Sequence, residues 1–437
     1  MTESTFPTGI AVDDPPDVPS TASGAAEPMQ PRERMVLLDV LRGFALLGIL
    51  QVNYHSNVSS GALTDVLWFV ADGSFYPTFS FLFGLGFAIQ LIRAEETKRR
   101  FILRFMWRTL ILFFIGVVHY VFFRASDILI EYALIAGVLL LVRRWRPSLL
   151  VALAAASLVF YMSPRLAPEW SLLTRPDPEQ VEVVRVDTQL SWATAQANPP
   201  AWCQIPGLPD TYRTEVCGNA VRIRRLVTQE LATVQWWKGE ADVLCMFLLG
   251  LYAGRRRILR DAAQHTRLLS WVAGAGLAFG LVGNALDVFG DFFAGMGIAL
   301  PKSLNEWRLA FSLGNIGLSL FYLSGITLLF THWDRAKRVL APLANVGRMG
   351  LTNFFMQPLI FKALGYRGFG ITIFSEGGVE GWASLLLFLL INSFFVVQIL
   401  YSRWWFQHFR IGPLEWAWRS LTWFRIQPML LRRNADE

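Results

Sequence analysis

Residues 37–55 read Leu-Leu-Asp-Val-Leu-Arg-Gly-Phe-Ala-Leu-Leu-Gly-Ile-Leu-Gln-Val-Asn-Tyr-His. A helix needs about 20 mostly apolar residues to span a bilayer, and this stretch meets that length with Asp39 and Arg42, near its start, as its only acidic and basic-chain residues apart from the closing His55. Residues 1–30 are rich in Pro, Ser, Thr, Ala and acidic residues and lack the basic and apolar regions of a cleaved signal. Residues 1–33 are therefore expected to form a disordered cytoplasmic tail, and 37–55 an uncleaved signal anchor.

Working outward, comparable apolar stretches recur near 75–92, 101–123, 127–142, 148–164, 240–254, 267–289, 308–331, 345–363 and 382–402. The expected fold class is an all-α polytopic transmembrane helix bundle of about ten helices. It divides into a first five-helix membrane half (34–164), an extracytoplasmic loop region (165–239), a second five-helix half (240–405) and a cytoplasmic interfacial C-terminal segment (406–437). Composition agrees: 54% of the 437 residues are hydrophobic and only 17% are charged, too apolar for an ordinary soluble surface.

Short cytoplasmic loops carry an excess of Lys and Arg. Each loop placed inside by this count is basic: Arg93, Lys98, Arg99, Arg100 and Arg104; Arg143, Arg144 and Arg146; Arg255, Arg256, Arg257 and Arg260; Arg335, Lys337 and Arg338. The opposite loops are poor in both, with none over 56–74, and the Arg-rich tail from Arg403 to Arg433 returns to the cytoplasm. The net charge of +7 thus reads as topology rather than as a nucleic-acid patch, since no recognition motif accompanies it. Pro413–Trp423, with Trp416, Trp418, Trp423, Glu415 and Arg419, suits a helix lying in the headgroup region. In the long loop, Val221–Trp237 can form an amphipathic helix, and Cys203 and Cys217 could pair in an oxidising compartment.

Ionisable groups inside a bilayer are costly unless they face a cavity or a partner, so they mark the candidate site. Asp39 and Arg42 are three apart and share a helical face; they suit either a structural ion pair or an anchor for an anionic head group or phosphate entering from the cytoplasm. His55 and His119 fall at the outer ends of the first and third spans, away from His265, His332 and His408. Asp127 follows His119 across a tight turn, and Glu131 lies four residues later on the same face, so an imidazole and two carboxylates can converge for acid–base work. Metal binding would compete for that set, but no HxxxH or comparable ligand spacing is present. Arg348, Thr352, Asn353 and Gln357 form a polar stripe before Pro358, suited to helix association or to lining a substrate path, as are Asn284, Asp287 and Asn315. No P-loop, GxSxG elbow or CxxC pair occurs.

Three separated segments, Leu38 to Leu50 with Asn53, Arg108 through Gly116 and His119 to Tyr132, and Gly347-Arg348-Met349 with Leu351-Thr352-Asn353, together resemble the YeiB-like family of bacterial multi-pass membrane proteins. Phe79 to Gly86 and Gly412 to Arg419 extend the resemblance, which covers about Arg34 to Arg425. The first-helix pattern is also similar to that of the wider transmembrane acyltransferase superfamily, which includes heparan-glucosaminide N-acetyltransferase-like proteins. The resemblance implies a location in the bacterial cell (inner) membrane, no bound cofactor, and acyl-CoA as a cytoplasmic co-substrate whose acyl group is delivered to a glycan, lipid or small-molecule acceptor outside. It further implies Arg42 near the entering donor and His119, with Asp127, as general base at the outer face; Asp39, Asn53, His55, Arg348, Thr352, Asn353 and Gln357, polar groups within the spans, are expected along the substrate path. A transporter or exporter of a lipid or small metabolite, with the same charges as a proton relay, is the competing class.

Overall fold

The computed structural model describes residues 31–56, 62–71, 73–96, 101–122, 128–166, 241–288, 308–363 and 382–430. Apart from one antiparallel bridge between Phe409 and Leu430, the described elements are helices: α1 (Pro31–Gln51), continued by a π-turn (Val52–Ser56), α2 (Ala62–Ala71), α3 (Phe75–Glu96), α4 (Phe101–Phe122), α5 (Ile128–Val142), α6 (Pro147–Leu166), α7 (Ala241–Arg255), α8 (Thr266–Val288), α9 (Arg308–His332), α10 (Asp334–Arg348), α11 (Gly350–Ala363), α12 (Trp382–His408) and α13 (Pro413–Trp423). Asp127, Cys203, Cys217, Val221–Trp237 and the N-terminal tail to residue 30 lie outside the described residues.

Six described stretches are long and apolar enough to cross a membrane: Val36–His55, Asp65–Glu95, Phe101–Phe122, Thr266–Ala285, Leu313–His332 and Ser384–His408. Ile128–Val142 and Pro147–Tyr161 are shorter apolar helices. The outward faces of α4, α8 and α12 carry Leu103, Phe114, Trp271, Val282 and Leu400, all largely exposed. Apolar surface of that extent on several helices is what hydrocarbon tolerates and water does not, so the chain is a multi-pass helical membrane protein.

Two elements differ from the sequence expectation. The loop expected over 56–74 contains α2, ended at Gly73, whose φ of +67° a side chain rarely adopts. The C-terminal carbonyls of α2 and its turn are taken up by α8 and α9: Asn284 Nδ2 donates to Phe69 O at 2.7 Å, Tyr322 to Val70 O and Ser319 to Ser74 O. Irregular backbone survives inside a membrane protein only with such partners. The span expected over 345–363 is likewise broken at Met349 (φ −111°, ψ 41°) into α10 and α11.

Helices approach closely where glycine removes the side chain. A Cβ at Gly43 or Gly347 would run into the Leu343 or Asp39 carbonyl, which seats α10 on α1. Gly84 of α3 and Gly250 of α7 meet the Phe247 and Phe81 carbonyls in the same manner.

Candidate functional site

The three-residue spacing on α1 does bring Arg42 Nη1 to 2.9 Å from Asp39 Oδ1. The glycine contact of α10 sets Arg348 beside this pair: its charge acts on Asp39, and its guanidinium lies 3.9 Å over the Phe406 ring of α12. On the other side is α3, where a Cβ on Gly86 would lie 3.7 Å from Arg42 Nη2. One turn further along α3, Gln90 donates from Nε2 to Gly86 O at 3.1 Å and accepts from Arg108 Nη1 of α4 at 2.9 Å. Arg108 in turn feels the charges of Arg42 and Arg419. One turn of α3, Gly86–Gln90, thus connects two arginines from different helices.

The amphipathic segment Pro413–Trp423 closes this end of the bundle. Trp418 Nε1 donates to Arg108 O at 3.0 Å and its ring covers the Arg108 guanidinium at 4.1 Å. Arg104 lies 4.2 Å over Trp423, and Trp107 donates to Leu421 O at 3.1 Å while stacking on Phe424. Glu415 accepts from Leu351 N at 2.7 Å, Thr352 N at 3.1 Å and Thr352 Oγ1 at 2.6 Å. A carboxylate from α13 thereby caps the N-terminus of α11, where free N–H groups and the helix dipole favour negative charge. Burial pushes the Glu415 carboxyl above its ordinary value, and these hydrogen bonds offset only part of that rise.

The rest of the polar stripe turns toward α12. Asn353 Nδ2 donates to Val346 O at 3.2 Å and Ser402 Oγ at 3.0 Å, and Gln398 Nε2 donates to Asn353 O at 3.0 Å. Gln357 Nε2 reaches Gln398 Oε1 at 3.5 Å. Thr352, Asn353 and Gln357 therefore spend these bonds on neighbouring helices.

His119 is buried between α4 and α11, its ring 5.0 Å from Phe354 and 4.7 Å from Phe355. A Cβ on Gly350 would contact Leu46, whereas Phe361 stacks on Tyr54 at 4.1 Å, so α11 runs alongside α1. Phe354 precedes Phe361 by two turns, roughly 10 Å of rise. The imidazole accordingly sits part-way along the bundle, deeper than the Tyr54 level. His55, on the π-turn and fully buried, has Nε2 3.1 Å from Ser384 O and 3.3 Å from Ser384 Oγ. Asn53 Oδ1 accepts from Tyr76 at 2.8 Å. Glu131 is half-buried on α5. Sequence reasoning did not single out Gln90, Gln398, Ser402 or a role for Arg108; Arg108 alone carried a signal, as a cation within an apolar span.

Comparison with known proteins fits this architecture. Residues 34–182 match the catalytic region of the heparan-alpha-glucosaminide N-acetyltransferase family, and residues 253–425 match a family described as a protein of unknown function, DUF418. The first match spans α1 to α6, the second α8 to α13. The chain is homologous to bacterial proteins carrying no assigned activity: it is 28% identical to the uncharacterized protein YxaH of Bacillus subtilis over 92% of this chain and 98% of that one. It is 28% identical to a 39.9 kDa protein from the amylase 3' region of Bacillus acidopullulyticus, over 94% and 100%, and 26% identical to YeiB of Escherichia coli, over 89% and 96%.

Proposed function

We propose that this protein is a membrane acyltransferase of the bacterial cell membrane, with both termini cytoplasmic, that moves an acyl group from cytoplasmic acyl-CoA to a glycan, lipid or small-molecule acceptor outside. The observation that carries the reading is the match of residues 34–182 to an acetyltransferase catalytic region, because that stretch holds Arg42, His55 and His119 together.

In the proposed step, His119 takes the proton from an acceptor hydroxyl or amine as that atom attacks the thioester carbonyl. The carbon–sulfur bond breaks, the acyl group passes to the acceptor, and the thiolate leaves with the proton from the imidazolium. Asp127 is proposed to orient the ring, with Glu131 nearby.

The test uses purified protein in proteoliposomes with radiolabelled acetyl-CoA on the side of the termini and candidate acceptors on the other. His119→Ala should lower turnover by about 100-fold or more while His119→Phe retains the fold. Equal labelling by parent and variant would remove His119 from the chemistry. Passage of an unaltered solute without acyl-CoA consumption would replace the whole reading by transport.

A further inference from the structure

Among the described residues, the end of the bundle closed by α13 carries more positive than negative charge. Arg42 is paired with Asp39, the packing of Gly347 on the Asp39 carbonyl brings the neighbouring Arg348 to the same level, and Arg108 meets Arg42 across the Gly86–Gln90 turn of α3. Among the described residues, a second carboxyl at this end, Glu415, is taken by the N-terminus of α11. Arg108 uses one nitrogen on neutral Gln90 and one face on Trp418, neither of which cancels its charge. Positive charge drawn into a low-dielectric site without an equal number of anions is strongly unfavourable.

The geometry points to a phosphate-binding site formed by Arg42 and Arg108 across the Gly86–Gln90 turn of α3, with Arg348 completing it from α10. Gly86 leaves the space in front of the Arg42 guanidinium unfilled by a side chain, and Arg42 remains about one-third exposed, its side chain 35% accessible. Guanidinium forks suit phosphate oxygens by paired, charge-assisted hydrogen bonds. Trp418 fixes the plane of Arg108 from behind, which reduces the ordering cost when a phosphate arrives. Assigning the phosphates to the thioester donor rests on the acyl-transfer reading; the site itself does not.

The same chemistry would accept a phospholipid headgroup, so the experiment has two arms. Full-length protein in phosphatidylcholine nanodiscs is titrated with coenzyme A, and in parallel its retention on phosphatidylglycerol vesicles is compared with that on phosphatidylcholine vesicles. Coenzyme A should bind, with affinity falling at least tenfold in both Arg42→Gln and Arg108→Gln, less in Arg108→Lys, and with a weaker salt dependence in every variant. Should Arg108→Gln fail to fold, the part-exposed Arg42→Gln carries the same test. Arginine-dependent retention on phosphatidylglycerol without coenzyme A binding would support the phosphate site and assign it to lipid. Binding of coenzyme A unchanged in both variants, or no arginine-dependent binding of either probe, would overturn it. Intact coenzyme A binding without transfer would sink the acyl-transfer reading alone, and transfer undiminished in the double variant would sink this site alone.

Discussion

Asn353 of the α11–α12 contact and Arg348 of the arginine-rich end stand only five residues apart, on either side of the break at Met349, yet the two regions treat polarity in opposite ways. Between α11 and α12, the Asn353 side chain meets Val346 O and Ser402, and Gln398 comes back to Asn353; the members are neutral and serve one another. Around Asp39 the members are charged and mostly of one sign. In a hydrocarbon solvent a neutral ladder holds helices together, whereas a cationic cluster suits an anionic ligand.

The severest way to break the comparison removes both regions at once. Gly347→Val places a side chain against the Asp39 carbonyl and should cost about 3 kcal/mol or more, read as loss of monodisperse protein on size exclusion in detergent. Asn353→Leu strikes only the ladder, taking the amide donor from Ser402 while Gln398 keeps the backbone carbonyl of residue 353, and should cost about 1–3 kcal/mol in thermal unfolding while leaving coenzyme A affinity unchanged. A parallel fall in affinity would mean that the two regions are one unit.

The smallest effect concerns the tie between them. Because the Glu415 carboxyl is raised above its ordinary 4.5 in the folded protein, the folded state holds its proton more tightly than the unfolded state does. Its contribution to stability is therefore fullest below about pH 4.5 and declines as pH rises through the elevated value. Thermal unfolding measured against pH should show that decline in the parent and a flatter profile in Glu415→Gln; identical profiles would show that the carboxyl is not strained by burial.

Helix positions were legible from apolar length alone, because a bilayer imposes the same length on each span: α3, α4 and α9 begin where the hydropathy places them. The Asp39–Arg42 pair was legible too, since it depends only on the 3.6-residue turn. Partners across helices were not. Nothing in the spacing of α4 foretells that Arg108 meets Gln90 and Trp418, or that Glu415 caps α11 from far along the chain, because periodicity fixes which face a residue occupies and not what that face meets. The break at Met349 was hidden for a related reason: residues on both sides of it are polar-apolar mixtures that a continuous helix would also accept.

The seat between α3 and α7 bears on how the chain is made. Gly84 is ready to receive the Phe247 backbone long before the ribosome has added α7, and at about 5–20 residues per second the delay is on the order of ten to thirty seconds. During that interval the grooved face of α3 stands without its mate in the newly inserted protein. An insertase that shelters it, or a lipid that fills it and is later expelled, would be an obligatory companion of biogenesis, and translation stalled between residues 170 and 235 should leave a nascent chain unusually open to crosslinking at Gly84.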